Sequence, residues 1–218
     1  MSNFYTNVTC RRNKIYFRGV KDGVRVKEII NYRPTLFLPS NEKTKYKTLE
    51  NQYVKPFEFE NIKQAKEFIE DYKGVDNFTF YGNTNFQYCY ISDYYSDCQY
   101  DISQIVIANF DIEVGSENGF PEPESASEPV TAITIQHRDK FYVFACGEYT
   151  PTADNIIYAK SENERELLQK FLQFWEEISP DIITGWNIQF FDIPYLVQRI
   201  TNLFDEKEAS RLSPWGFI

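Results

Sequence analysis

Histidine occurs once among the 218 residues, and the four cysteines, Cys10, Cys89, Cys98 and Cys146, are scattered with no Cys-x-x-Cys pair. Those absences remove the ligand sets of a structural zinc site and leave four free thiols as the expectation. The lone His137 sits in a stretch that reads as a β-hairpin, far from any nucleophile motif, so a hairpin or surface residue is expected there rather than a catalytic base. No apolar run approaches the roughly 18 residues of a membrane span. The start, Met1-Ser2-Asn3-Phe4-Tyr5-Thr6-Asn7, has neither the basic residues nor the apolar segment of a signal peptide. An intracellular protein without membrane contact is therefore expected. Internal repeats and low-complexity tracts are absent as well.

What is present is a globular composition, 42% hydrophobic, 25% charged and 17% aromatic, in a chain long enough for one large domain or two small ones. The net charge of −9 conceals an asymmetry. Residues 1–100 hold 15 Lys and Arg against 12 Asp and Glu, whereas residues 101–218 hold 8 against 20. A mildly basic part joined to a strongly acidic one suggests two units with different partners. Acidity does not exclude nucleic acid, because carboxylates can meet phosphate through metal ions.

In the first part, alternating segments around Asn3–Thr9, Lys14–Gly19 and Val24–Asn31 are punctuated by Asp22-Gly23, a hairpin turn pair. Arg33 to Pro39 reads as a short strand bracketed by prolines, and together these predict one small antiparallel sheet. Ile62, Ala65, Phe68, Ile69 and Tyr72 recur at helical spacing, with Asn61 as a cap and Gly74 just past the end. An aromatic-rich stretch, Phe78 to Tyr95, closes this part.

The second part opens on Ile105 to Val114, followed by a Gly, Pro and Glu-rich loop over 115–129, and then Val130–His137 and Lys140–Cys146 as a hairpin. Ser161-Glu162-Asn163-Glu164 has capping-box form before a wide apolar helix face that Pro180 stops. Asp181 to Asn187 reads as a buried strand, and Ile193–Phe204 as a second amphipathic helix. A three-stranded meander, a helix, a strand and a helix give an α/β (α+β) order in which the last strand can pair beside the first.

Asp111 and Glu113 lie two apart in the strand-like run, so both share one face with Asn109 while Phe110, Ile112 and Val114 line the other. Buried in a core strand, two such charges would repel and need a cation. The alternative is an edge strand with a solvated acidic face. Asp192 falls at a strand-to-helix junction, where ligands gather in α/β sheets, and could equally be the N-cap of the helix beginning Ile193-Pro194.

Several of these segments resemble the family B replicative DNA polymerases of T-even-like bacteriophages. They are Asn109-Phe110-Asp111-Ile112-Glu113-Val114, Gly119-Phe120-Pro121-Glu122-Pro123, Thr184-Gly185-Trp186-Asn187 with Phe191-Asp192-Ile193-Pro194-Tyr195, and Arg211-Leu212-Ser213-Pro214. The resemblance implies a small mixed N-terminal domain over 1–103 and an incomplete ribonuclease-H-like 3′→5′ proofreading exonuclease domain over 104–218. It implies that Asp111 bridges two Mg²⁺ or Mn²⁺ ions, that Glu113 binds one and orients the attacking water, and that Asp192 holds the other. It further implies nucleic-acid contacts by Phe120, stacking on the frayed primer end, and by Asn187 and Phe191. A single-stranded DNA primer 3′ end is the implied partner, together with polymerase domains outside these residues, in the cytoplasm of a bacterial host. For Phe120, a loop residue tucked under the sheet is the other reading.

The family's third exonuclease motif, Tyr-x-x-x-Asp, does not follow Asp192; Asp205 is the one later aspartate, with Thr201 where the tyrosine would stand. The sequence therefore reads as an N-terminal fragment with two of three exonuclease motifs, itself weakly active or inactive. The alternative function is a nucleic-acid binding module without catalysis, for RNA or single-stranded DNA. It would use Arg11, Arg12, Lys14, Arg18, Lys43, Lys45 and Lys47 beside stacking tyrosines.

Overall fold

Residues 2–117 and 119–218 are described by the computed structural model. They form two compact units, one ending at Gln104 and one running from Ile105 to Ile218.

In the first unit, β1 (Phe4–Arg11), β2 (Lys14–Lys21) and β3 (Val24–Ile30) make an antiparallel meander. Asp22 and Gly23 both take positive φ, 52° and 79°, as a two-residue turn between twisted strands requires. A second sheet of β4 (Thr35–Pro39), β5 (Tyr46–Lys47) and β6 (Tyr53–Glu58), in the order β4-β6-β5, replaces the single sheet expected from the sequence. In α1 (Ile62–Tyr72), Asn61 caps the helix by accepting the Gln64 N–H at 3.0 Å.

The aromatic stretch yields a helix the sequence reading did not assign, α2 (Phe86–Tyr95). Its rings point to all sides, so no apolar stripe betrays it. Phe86 and Tyr90, four apart, bury in the core with Phe17, Leu36 and Ile62. Tyr95 stacks on Phe17 at 5.2 Å.

The second unit is built on one five-stranded sheet, β7 (Ile107–Val114), β8 (Val130–His137), β9 (Lys140–Ala145), β10 (Ile156–Lys160) and β11 (Ile182–Thr184), ordered β10-β9-β8-β7-β11. Strands β7 to β9 are antiparallel, while β10 runs parallel to β9 and β11 parallel to β7. Strand β10 adds an element to the order expected from the sequence. His137 ends β8, its Nδ1 3.1 Å from the Ile107 carbonyl oxygen.

Helices α3 (Glu164–Ile178) and α4 (Asp192–Leu203) cover one face of the sheet; α5 (Glu206–Ala209) follows. Ala108, Phe110 and Ile112 of β7 pack with Ile133 and Ile135 of β8, with Leu168, Phe171 and Trp175 of α3, and with Tyr195 and Ile200 of α4. The capping box lies two residues later than expected: Asn163 accepts the Glu166 N–H at 3.1 Å, and Glu166 returns to the Glu162 N–H at 2.7 Å. That shift releases Glu164 for contacts described below.

Strand β11 was expected to be buried and is not: Ile182 and Ile183 are 45% and 38% exposed. It is an edge strand of three residues, paired on one side alone among the described residues. No helix among the described residues is long and apolar enough to cross a membrane.

Candidate active site

Alternation along β7 decides where its acids go. Ala108, Phe110 and Ile112 take the helix-covered face, and Asn109, Asp111 and Glu113 are exposed on the other. The two carboxylates are therefore not buried, which corrects the desolvation argument drawn from the apolar run. Nor is β7 an edge strand, since β8 lies on one side and β11 on the other.

The short length of β11 creates the site. Its ladder with β7 stops at Thr184 opposite Asn109, leaving the far half of β7 without a strand on that side among the described residues. Gly185 then backs against the strand so closely that any Cβ would run into the Phe110 carbonyl oxygen. Beyond that contact the Ile112 N–H needs an acceptor, and Asp192 Oδ1 supplies it at 3.1 Å. Asp181 does the same at the other end, accepting the Val106 N–H at 3.0 Å. An aspartate thus closes each end of the parallel pair.

Asp192 is 4% exposed and is the first residue of α4. It is not the N-cap considered from the sequence: that position is Phe191, whose phenyl ring offers no acceptor, and the Asp192 carboxylate turns back to β7. Burial pushes the Asp192 carboxyl above the usual aspartate range, the Ile112 and Asp192 N–H groups pull it down, and the charge of Asp111 pushes it up again. The fold therefore brings Asp111 and Asp192 into electrostatic contact, with Glu113 one outward position further along β7.

Among the described residues no group of three or more His, Cys, Asp or Glu side chains is arranged to hold a metal ion. The donor chemistry nonetheless suits a hard divalent cation: all three candidates are carboxylates, and a desolvated one beside a second negative charge is the electrostatic situation that a cation relieves. Asp111 and Glu113 are exposed side chains on a strand held by β8 and β11, free of burial on their own face. Asp205 lies outside this set, capping α5 by accepting the Glu208 N–H at 2.8 Å.

Phe120 is 83% exposed, which rules out the tucked position considered for it. Its ring lies 5.6 Å from Phe191, which in turn lies 5.5 Å from the buried Tyr195. Asn187, at φ 57°, shapes the turn before α4, its carbonyl oxygen accepting the Phe190 and Phe191 N–H groups at 3.0 and 3.1 Å. Trp186 and Phe190, 91% and 73% exposed, stand beside it. The sequence reading gave these two rings no role, although two large aromatics in a short strand-to-helix link were a usable signal.

Gly185→Ala is expected to destabilise the second unit by about 1–3 kcal/mol, because the clash is with backbone and must move β11 or β7. A urea unfolding midpoint unchanged from the parent chain would contradict this.

A mixed five-stranded sheet of this order, with helices packed on one face, is a ribonuclease-H-like architecture. The model of the DNA polymerase family B exonuclease domain matches residues 51–218, and the chain belongs to that family. It is 36% identical to a DNA-directed DNA polymerase of Escherichia phage RB69 over 98% of this chain, and 31% identical to that of Enterobacteria phage T4 over 100%. The DNA polymerase delta catalytic subunit of Glycine max is 36% identical over 44% of the chain. The chain spans 27% of the length of each phage relative.

Proposed function

We propose that residues 104–218 form part of a 3′→5′ proofreading exonuclease and that residues 1–103 are the N-terminal domain preceding it in a phage-type DNA polymerase. The observation that carries this reading is the placement of Asp192, desolvated and held on the Ile112 N–H between the two outward acids of β7. The family match supports the reaction class.

Asp111, Glu113 and Asp192 are the residues that would hold Mg²⁺ or Mn²⁺. When bound, such ions would supply an activated water and stabilise the departing 3′ oxygen. Glu113, the outermost acid of β7, would orient the attacking water toward phosphorus. Water adds to the phosphodiester and the bond to the 3′ oxygen breaks, releasing the terminal nucleotide. Phe120 offers a ring to the unpaired terminal base, and Phe191 and the Asn187 turn line the approach. The partner is a single-stranded DNA 3′ end, and the setting is replication in the cytoplasm of a bacterial host.

No Tyr-x-x-x-Asp follows Asp192 in these 218 residues. A two-ion site short of one carboxylate holds metal weakly, so labelled single-stranded DNA with Mn²⁺ is expected to be trimmed far more slowly than by a complete proofreading enzyme. Turnover near that of a complete enzyme would refute this.

The binding-module alternative would draw on the first unit, where six of its seven basic side chains are exposed. Arg18 is buried, Lys14 bonds Asn31, and Lys45 and Lys47 lie over Tyr46 and Tyr53 at 4.8 and 5.0 Å. Binding of single-stranded DNA is expected to require a divalent ion and a free 3′ end. Binding that survives chelation and falls steeply with salt would favour the electrostatic module instead.

A further inference from the structure

Four consecutive carbonyls at the end of the 115–129 loop lie outside any helix or strand and need donors. Side chains of α4 supply all four. Asn202 Nδ2 donates to the Ser125 oxygen at 2.9 Å. Arg199 Nη1 donates to those of Ala126 and Ser127 at 3.0 and 2.8 Å. Tyr195 Oη donates to that of Glu128 at 2.7 Å.

Positions 195, 199 and 202 recur at four and three residues, so they occupy one side of the helix. Asp192, three residues before Tyr195, belongs to that same side. Glu164 of α3 locks the central member: it accepts Arg199 Nε and Nη2 at 2.8 and 2.7 Å and also takes the Val130 N–H at 2.7 Å.

One helix face thus fixes two things, the carboxylate at its first residue and the exit of the loop that carries Phe120. We propose that Tyr195, Arg199 and Asn202 are positioning residues, holding the Phe120 loop in register with Asp192 so that base stacking and phosphate placement occur in one geometry. The Phe120–Phe191–Tyr195 ring contacts run alongside this tether and couple the same two elements. The inference rests on the exonuclease reading above.

The test uses the full chain and a single-stranded oligonucleotide with 2-aminopurine at its 3′ end, in Ca²⁺ at fixed salt, read by quenching of that base. A separate Mn²⁺ titration without DNA reports the metal site, and circular dichroism with melting confirms folding of each variant. Tyr195→Phe and Asn202→Ala each remove one tether bond, and Arg199→Lys keeps the charge but loses the fork.

Each is expected to weaken oligonucleotide binding about three- to tenfold, to leave Mn²⁺ affinity within about twofold of the parent, and to add nothing once Phe120→Ala is present. Losses that add fully to that of Phe120→Ala, or tether variants that bind like the parent while Phe120→Ala does not, overturn the positioning role alone. A Phe120→Ala chain that binds and quenches like the parent overturns the reading of the site, and the tether with it.

Discussion

Replacing Asp192 by asparagine is expected to raise the melting temperature of the metal-free chain at neutral pH and to remove most of its response to Mn²⁺. The amide keeps an oxygen for the Ile112 N–H, so the bond that closes the β7 ladder survives. What disappears is a carboxylate whose ionised form is penalised by burial and by Asp111. Because its folded pKa lies above the ordinary aspartate value of 3.8, the folded chain holds that proton longer than the unfolded one. Its contribution to stability is thus fully present below 3.8 and is lost as pH rises through the folded value. The advantage of Asp192→Asn should therefore be absent in acid, grow upward from pH 3.8, and then level off.

Saturating metal should reverse the order. At a hundred times its dissociation constant, Mn²⁺ would stabilise the parent chain by about 2.7 kcal/mol. Asp192→Ala differs from both, since it leaves the Ile112 N–H without its acceptor at a cost of about 1–3 kcal/mol. Calorimetry across pH, with and without Mn²⁺, checks all three. Equal Mn²⁺ shifts in the parent and Asp192→Asn chains would contradict the assignment.

Arg199→Met is expected to destabilise the second unit by about 3–5 kcal/mol, a large fraction of the stability of a domain this size. The guanidinium and its partner carboxylate are 12% and 15% exposed, so removing the cation strands the Glu164 charge in a poorly solvated place. Ala126 and Ser127 lose their donor at the same time. Adding Glu164→Gln should restore part of the loss by removing the stranded charge, without restoring the two carbonyl bonds. Urea denaturation of the single and double variants measures this. A single variant within about 1 kcal/mol of the parent would show that the pair is solvated enough to be dispensable.

Where the sequence was informative, local pattern and tertiary demand coincided. Strand β7, the β8–β9 hairpin and α3 all show a period that one apolar face requires, and the β11–β7 pairing followed from chain order. Helix α2 escaped because rings on every side erase the period, and β10 because a five-residue strand running parallel to its neighbour has no turn signal to mark it. Apolar composition misled in β11, which looked like a core strand but lies at an edge. For the proposed site, Asp111, Glu113 and Asp192 stood out as residue types in a recognisable setting. The bond from Ile112 to Asp192 spans 80 residues of sequence, and the four carbonyls read by α4 lie about 70 residues from their donors. Such contacts depend on the packed sheet and leave no local trace. Phe120 shows the same limit, since nothing in its local pattern marks it as exposed.

The most direct measurement is an anomalous difference map from crystals of the chain grown with Mn²⁺. Expected is a peak liganded by carboxylate oxygens of Asp111 and Asp192, with Glu113 turned toward it, and lost in the Asp192→Asn chain. A map in which Mn²⁺ binds elsewhere, with those three carboxylates left apart, would contradict the metal-dependent nuclease site.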